Sequence, residues 1–538
     1  MRAAKGVLSL GVVLALLLSA CGSSDEDGDG GTGQQDKSKN LADGGTFTVL
    51  SATDPGALVP FDNIQTPGVS MFKYLYDYLV AIDPQGEIVP ELADSWTVDG
   101  AKATFEIKDG VTCSDGSPLT ASTIAQNFDY VKDPANKSVL IGVVLPSADF
   151  TATADDASNT FTLEFDKPFG FLLQALALFP IVCGEGLEDP KSLTEASSGS
   201  GPFVLTKSTA GVEYELTKRD GYTWGPNGAS TDEPGFPDKV IQKIVTDPST
   251  ATNLLVSEEA NTAVINGPNG ERLKSGGFST TQDLQGGIVM LFNEAEGRPT
   301  ADPAVRKALI MGMDIAQLSK VVTQGLYDKP GVSMTPSTSA CDDSAGVSAI
   351  PQTDVEGAKK VLDEAGWVAG ADGTRAKDGK ELAVTVPYPS SNPGAAPASD
   401  LLAEMWGELG ATVTQQPLDE AAFSATMFAS GNFDVLGFTE LAVPFQSILT
   451  GWLSGPPPPE GINTAHINTE GYTTNSQQAV ATAGEEGCAL WTKAAEALYE
   501  SGDLIPISIL PVRWFSRLAT FDLSIGRIVP SSIRMHSS

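Results

Sequence analysis

Gly86–Trp96 reads GEIVPELADSW and Phe105–Ile124 reads FEIKDGVTCSDGSPLTASTI. Between and within these stretches Ala103–Ile107 alternates in polarity, the period-two signature of a half-buried strand. Asp109-Gly110 and Asp115-Gly116 supply turn dipeptides. Thr120 then stands where a helix N-cap does, and Ile124, Phe128 and Val131 recur on one helical face. Strand, turn and helix thus follow one another at once. The same alternation extends outward. Phe47-Thr48-Val49-Leu50 opens the foldable part, and Thr160–Phe165 alternates again. Asp302-Pro303 places an N-cap before a proline at the first helical position, with Val305, Leu309 and Met313 turned inward. Thr353 and Glu356 have capping-box spacing, and that helix, holding Val361 and Leu362, ends near the C′ glycine Gly366. The pattern predicts a mixed α/β chain with more than one domain.

Composition narrows the function. The chain has 538 residues, 33 Lys and Arg against 68 Asp and Glu, and a formal charge of −35. At about 150 residues per domain, two to four domains are expected. Apolar residues make up 41%, enough for a large core. The acidity repels phosphates and anionic lipid surfaces, so neither nucleic acid nor an electrostatic membrane grip is expected. His466 and His536 are the two histidines. A multi-histidine metal cage is therefore out of reach.

The N-terminus reads as a targeting segment. Arg2 and Lys5 precede the apolar run Gly6–Leu18, which is shorter than the roughly 20 residues of a membrane span. Leu18-Ser19-Ala20-Cys21 resembles the bacterial lipobox. The resemblance implies cleavage after residue 20 and diacylglyceryl attachment at Cys21, which anchors a protein without spanning. Residues 21–45 are rich in Gly, Ser and Asp and read as a flexible acidic tether. Asp25, Asp27, Asp29, Gly30 and Asp36 fit a calcium-loop spacing there, but that loop needs a helix on each side and this stretch offers none.

The blocks together resemble the family 5 extracellular solute-binding proteins, the peptide- and nickel-type receptors of ABC importers. The first block is Tyr74–Leu79 with the two stretches quoted above. The second is Gly199–Lys207 (GSGPFVLTK) with Arg219, Asp220, Tyr222 and Trp224. The third is Phe292-Asn293 with Asp302–Asp314, and the fourth is Asp354–Trp367; weaker matches follow at Asn463 and Leu504–Ile507. They occur in family order from about residue 45 to 525. The resemblance implies a type II periplasmic-binding-protein-like fold of the large cluster. Two hinged lobes would enclose a solute cleft and close on the ligand. Lobe I would cover 46–290 with an inserted subdomain at about 60–190, lobe II would cover 291–500, and 501–538 would return to lobe I.

An exported chain permits disulfides, and four cysteines beyond Cys21 allow three pairings. With the implied lobes, Cys113–Cys183 and Cys341–Cys488 keep each bridge within one lobe, whereas the other pairings would cross-link them. Four buried free thiols are the alternative. Loops of this length would constrain the unfolded chain by about 4–5 kcal/mol each.

Peptide is the cargo that the resemblance favours. A non-peptide solute such as an oligosaccharide, a metallophore complex or haem is the alternative. In the family's peptide receptors an aspartate after a Gly-Trp strand pairs with the peptide amine. Here Gly437-Phe438 stands for Gly-Trp and no aspartate follows, so Thr439-Glu440 offers Glu440 in its place. Asp54 and Pro55 in the entry loop, Trp452, and Trp514 with Phe515 near the returning strand complete the implied ligand contacts. The implied partners are ABC permease and ATPase subunits, with a monomer lipid-anchored on the extracytoplasmic face. No catalysis, cofactor, resident metal or nucleic acid is expected. A rival enzyme reading takes Ser70-x-x-Lys73, Lys274-Ser275-Gly276 and Ser390-Ser391-Asn392 as acyl-transfer motifs. Their order along the chain is wrong for that chemistry. A lipid-anchored scaffold module is a third class and would lack a closing cleft.

Overall fold

The computed structural model describes residues 40–327, 340–341, 344–441 and 443–537. The signal segment, Cys21, the calcium-loop look-alike and most of the tether lie outside these residues.

Two long strands, Ser279–Phe292 and Leu504–Ser516, pair antiparallel along their length. Ile288–Phe292 and Leu504–Ile507 are continuous apolar runs, and they are fully buried. Such runs suit strands covered on both faces. These strands belong to one eight-stranded sheet. At one end, Leu504–Ser516 meets Thr262–Val264. That strand leads on to Thr46–Ser51, Lys239–Ile244, Glu213–Lys218 and Phe203–Thr209. At the other end, Ser279–Phe292 meets Val435–Leu441. The register shifts between Leu284 and Gly286 and again between Ile288 and Val289. The two-stranded ribbon is therefore irregular where it passes between the two ends of the sheet.

Each end carries its own layers. Beyond Val435–Leu441 lies a parallel pair, Ala383–Pro389 and Thr412–Leu418, joined by helix Ala395–Glu408. Trp406 of that helix is fully buried and donates its indole N–H to the Leu309 carbonyl, 2.9 Å away. At the other end an antiparallel four-stranded sheet runs in the order Ala93–Asp99, Lys102–Ile107, Thr160–Phe165, Phe150–Asp155. Ala103, Phe105 and Ile107 point inward, as their alternation predicts. Helix Ala121–Lys132 covers the sheet, with Phe128 stacked 5.1 Å from Phe161 and 4.3 Å from Phe179. The architecture is a two-lobed mixed α/β fold. Cys113 is bonded to Cys183 and Cys341 to Cys488.

Local signals hold with one shift. Thr120 caps its helix by accepting from the Thr123 N–H, and Asp302 accepts from the Ala304 N–H ahead of Pro303–Met311. The capping box expected at Thr353 does not form, and the N-cap moves on by one residue. Asp354 caps Val355–Glu364 by accepting from the Gly357 N–H, while the Thr353 hydroxyl donates to the Met313 carbonyl. Aspartate accepts more strongly than threonine at this position, so the helix starts one residue later. Gly366 takes φ +86°, the left-handed conformation of a C′ glycine.

The lower end of the ribbon closes on a buried charge cluster. Glu294 and Asp503 flank the ribbon ends, and Arg306 reaches both, at 3.6 Å and 3.2 Å. Thr469 donates its hydroxyl to Asp503. Burial pushes the Glu294 carboxyl up to about 8; the neighbouring Asp503 adds to the rise and Arg306 opposes it. A raised carboxyl gives stability that is full below its ordinary value of 4.5 and lost as pH rises through about 8. Thermal unfolding of Glu294→Gln from pH 5 to pH 8 should therefore show a flatter decline than the unsubstituted protein. An equal slope would remove Glu294 as its source.

Candidate solute-binding site

Strand Val435–Leu441 is buried except for Glu440. Its apolar residues pack against the parallel pair. A Cβ on Gly437 would sit 2.9 Å from Val386 Cγ1, so glycine is what lets the strands approach. Phe438 takes φ +49°, and the register slips opposite Met290, between Val289 and Leu291. A bulge of this kind re-aims the residues that follow it. Thr439 is buried and its hydroxyl has no hydrogen-bond partner among the described residues. Glu440 reaches solvent beside Ile288 of the ribbon.

Three further polar residues gather around Glu440. Asn392 donates from Nδ2 to Glu440 Oε1 at 3.0 Å, and its own Oδ1 accepts from the Gly394 N–H at 2.8 Å. Ser391 donates to Glu420 Oε2 at 3.4 Å. Ser391 and Asn392 follow the last residue of Ala383–Pro389, and Glu420 follows shortly after Thr412–Leu418. The cluster thus lies at the carboxyl ends of two parallel strands, where open α/β sheets bind ligands. Desolvation raises the Glu440 carboxyl; Asn392 offsets this and Glu420 adds to it. Solvent still reaches the side chain. Two nearby carboxylates with amide and hydroxyl neighbours suit a cationic group.

The other expected contacts separate into two kinds. Trp514 is half-buried, lies in register with Thr281 and Val264, and its indole N–H has no hydrogen-bond partner among the described residues. From Thr281 to Ile288 the ribbon rises about 23 Å at about 3.3 Å per residue. Trp514 and Glu440 therefore cannot grip one small group but can meet an extended one. Trp452 is buried against Phe428 at 6.1 Å, with its indole N–H unpartnered. Phe515, by contrast, is fully buried in a satellite core with Leu50, Leu255 and Leu273, and it presents no surface to a ligand. Strand alternation turns it away from the face of Trp514.

Asp54 is also committed elsewhere. It accepts from the N–H groups of Gly56 and Gly211, at 2.7 and 2.6 Å, and from the Tyr214 hydroxyl. Burial alone would raise its carboxyl, but these three donors together hold it below its ordinary range. Pro55 is buried and its carbonyl accepts from Asn63 at 2.8 Å. The entry loop is thereby pinned to the hairpin turn at Gly211.

The acyl-transfer motifs do not assemble. Ser70 donates to the Thr66 carbonyl, Lys73 donates to the Ala177 carbonyl, and Lys274 is exposed on helix Gly267–Ser275. His536 meets Thr520 at 2.9 Å. Among the described residues no group of three or more His, Cys, Asp and Glu could hold a metal ion. Sequence reasoning missed Glu420 as a partner of this site and placed Asn392 only in a rival motif. Their position just after two strand ends was the available signal.

A two-lobed fold with a polar cluster at strand ends, beside a long two-stranded ribbon, is the architecture of a solute receptor. Residues 87–470 match the bacterial extracellular solute-binding proteins, family 5 (middle region), and the chain belongs to that family of binding proteins. Protein XP55 of Streptomyces lividans is 29% identical over 366 residues, 65% of this chain and 63% of that protein. The periplasmic murein peptide-binding protein MppA of Escherichia coli is 26% identical over 493 residues, 85% of each chain. A substrate-binding protein from Microbacterium hydrocarbonoxydans, solved with 4-hydroxybenzoate hydrazide, superposes with a TM-score of 0.73 at 25% identity. It covers 91% of this chain and 99% of its own.

Core and groove residues should respond in opposite ways to substitution. Phe515→Ala should lose about 3–5 kcal/mol in urea denaturation. Glu440→Gln should stay within about 0.5 kcal/mol of the unsubstituted protein, because solvent already reaches it. A large loss from Glu440→Gln would make it a structural residue.

Proposed function

We propose that the protein is the substrate-binding component of an ABC importer and captures an oligopeptide between its two lobes. Lobe I comprises 46–290, with an insert at about 60–190, and 501–538; lobe II comprises 291–500. The ribbon is the hinge. The observation that carries the peptide reading is the Glu440 cluster. It offers carboxylates for a free α-amine about 23 Å along the ribbon from Trp514, a span suited to an extended chain. The peptide-binding relative MppA supports the same cargo. Peptide backbone groups would pair with cleft backbone, giving affinity without fixing side chains. The hydrazide bound by the Microbacterium receptor favours a second reading, a small aromatic solute.

Lipid at Cys21 holds the receptor on the extracytoplasmic face of the membrane in this reading, and the tether lets it reach the permease. Delivery would be to the permease, with ATP hydrolysed by the partner subunits. In cells, the protein should incorporate labelled palmitate and Cys21→Ala should not. Equal incorporation by the variant would sink the anchor.

Calorimetric titration with matched peptides tests the cargo. Free-amine peptides should bind at least tenfold tighter than their N-acetyl forms, about 1.4 kcal/mol, and Glu440→Gln should erase that difference. Equal binding of both forms would discard amine recognition. Binding of aryl hydrazides but no peptide would replace the cargo class.

A further inference from the structure

The lobes touch at a second place besides the ribbon. Strand Thr160–Phe165 of the four-stranded sheet runs on into Lys167–Phe171, which reads KPFGF. Asp166, Lys167 and Pro168 are exposed, whereas Phe169 and Phe171 are buried. Their cover comes from 291–500. The Phe445 ring lies 6.4 Å from Phe169 and 5.3 Å from Phe171, and Trp491 stacks on Phe171 at 5.9 Å. These are separations at which aromatic rings attract. Phe169 also meets Phe165 at 6.3 Å, so the rings run without a break from the first lobe's sheet into the second lobe.

The backbone joins here too. The Gly170 N–H donates to the Val480 carbonyl at 2.7 Å. A Cβ on Gly170 would sit 2.4 Å from the Thr482 carbonyl oxygen and 3.3 Å from that of Ala479. The φ of Gly170 is not positive, so its own conformation does not call for glycine. The close approach of the other lobe does.

Both sides of the contact are braced. In the first lobe, Asp77 accepts from the Tyr222 hydroxyl at 2.8 Å and from the Trp224 indole N–H at 2.9 Å, which ties the insert to the rest of that lobe. In the second, Cys488 and Trp491 are three residues apart on helix Gly484–Ser501, and Cys488 is bonded to Cys341. Gln446, next to Phe445, donates to the Cys341 carbonyl at 2.8 Å. The disulfide therefore holds Phe445 and Trp491 as one jaw. The same helix leads directly into Leu504–Ser516 of the ribbon.

We infer that this contact is a clasp by which the chain's own residues hold the lobes together, so that the closed arrangement is the resting one and a solute enters only when the clasp lets go. The inference rests on the hinge reading of the ribbon and on no choice of cargo. Rings and a hydrogen bond made in one arrangement and lost in the other bias that equilibrium whatever the ligand. A solute that needs the open form to enter meets a population reduced by the same factor.

Pulsed electron-spin distances in the full chain test this without any ligand. Spin labels go on Lys102→Cys and Glu408→Cys, two exposed positions, one in each lobe. The open form should be a minor species of about 10% or less. Gly170→Val drives a side chain into the Thr482 carbonyl and should make the longer, open distance the major one. Phe171→Leu should shift the populations the same way and carries the test if Gly170→Val fails to fold. Phe165→Leu cuts the same run of rings inside the first lobe and should leave the distance unchanged. A mainly open unsubstituted protein, or equal lengthening in Phe165→Leu, would overturn the clasp. Hydrogen exchange separates the remaining failures. A fixed distance in Gly170→Val with faster exchange at 167–172 alone would overturn the clasp and leave the hinge standing. Faster exchange at both 167–172 and 479–484 with the distance still fixed would mean that freed lobes do not part, and the hinge reading would fall with the clasp.

Discussion

The antiparallel pairing of Ser279–Phe292 with Leu504–Ser516 is the constraint on which the molecule depends. These two strands connect the sheet at one end to Val435–Leu441 at the other. The portion Ile288–Phe292 with Leu504–Ile507 is fixed by apolar surroundings, and the register shifts fall between it and the more polar far end. A ribbon that is regular at its ends and irregular between them concentrates bending in a few residues. The ribbon is not the sole link: Phe171 also stacks 5.9 Å from Trp491, and the Gly170 N–H donates to the Val480 carbonyl at 2.7 Å.

The charged clusters make sense around that ribbon. Arg306 with Glu294 and Asp503 sits where both strands end, so the start of one chain crossing and the finish of the other are tied through one guanidinium. Buried ion pairs seldom add net stability over apolar packing, but breaking one is severe. Their effect here is to set which strand positions may meet. Asp77 acts in the same manner in the first lobe, where it joins the indole of Trp224 and the hydroxyl of Tyr222 to the Tyr74–Leu79 block. Two segments far apart in sequence are thereby held in register.

Much of this was legible beforehand. The alternation at Ala103–Ile107, the caps at Thr120 and Asp302, and the left-handed Gly366 are local signals, and local signals survive folding. The groove was legible only in part. Glu440 stood out because it follows Gly437-Phe438, but Glu420 and Asn392 reach it from other strand ends, and no spacing in the chain reports such a meeting. Phe515 failed for the converse reason. Its neighbour Trp514 has the same aromatic character, and only the strand's alternation decides which of the two enters the satellite core.

The position of Glu440 bears on how a receptor can be both broad and selective. It is the exposed side chain of an otherwise buried strand and pairs with Ile288 of the long ribbon. In the proposed reading, a charge held there would meet one end of a ligand, and closure would exclude water and strengthen the contact. The rest of an extended ligand would run along the ribbon toward Trp514, an aromatic surface that does not discriminate among side chains. One anchored end and a permissive remainder select by ligand type and not by sequence. In the proposed reading, the two carboxylates at the anchor, with the chain's charge of −35 around them, would bias that choice toward a cationic terminus.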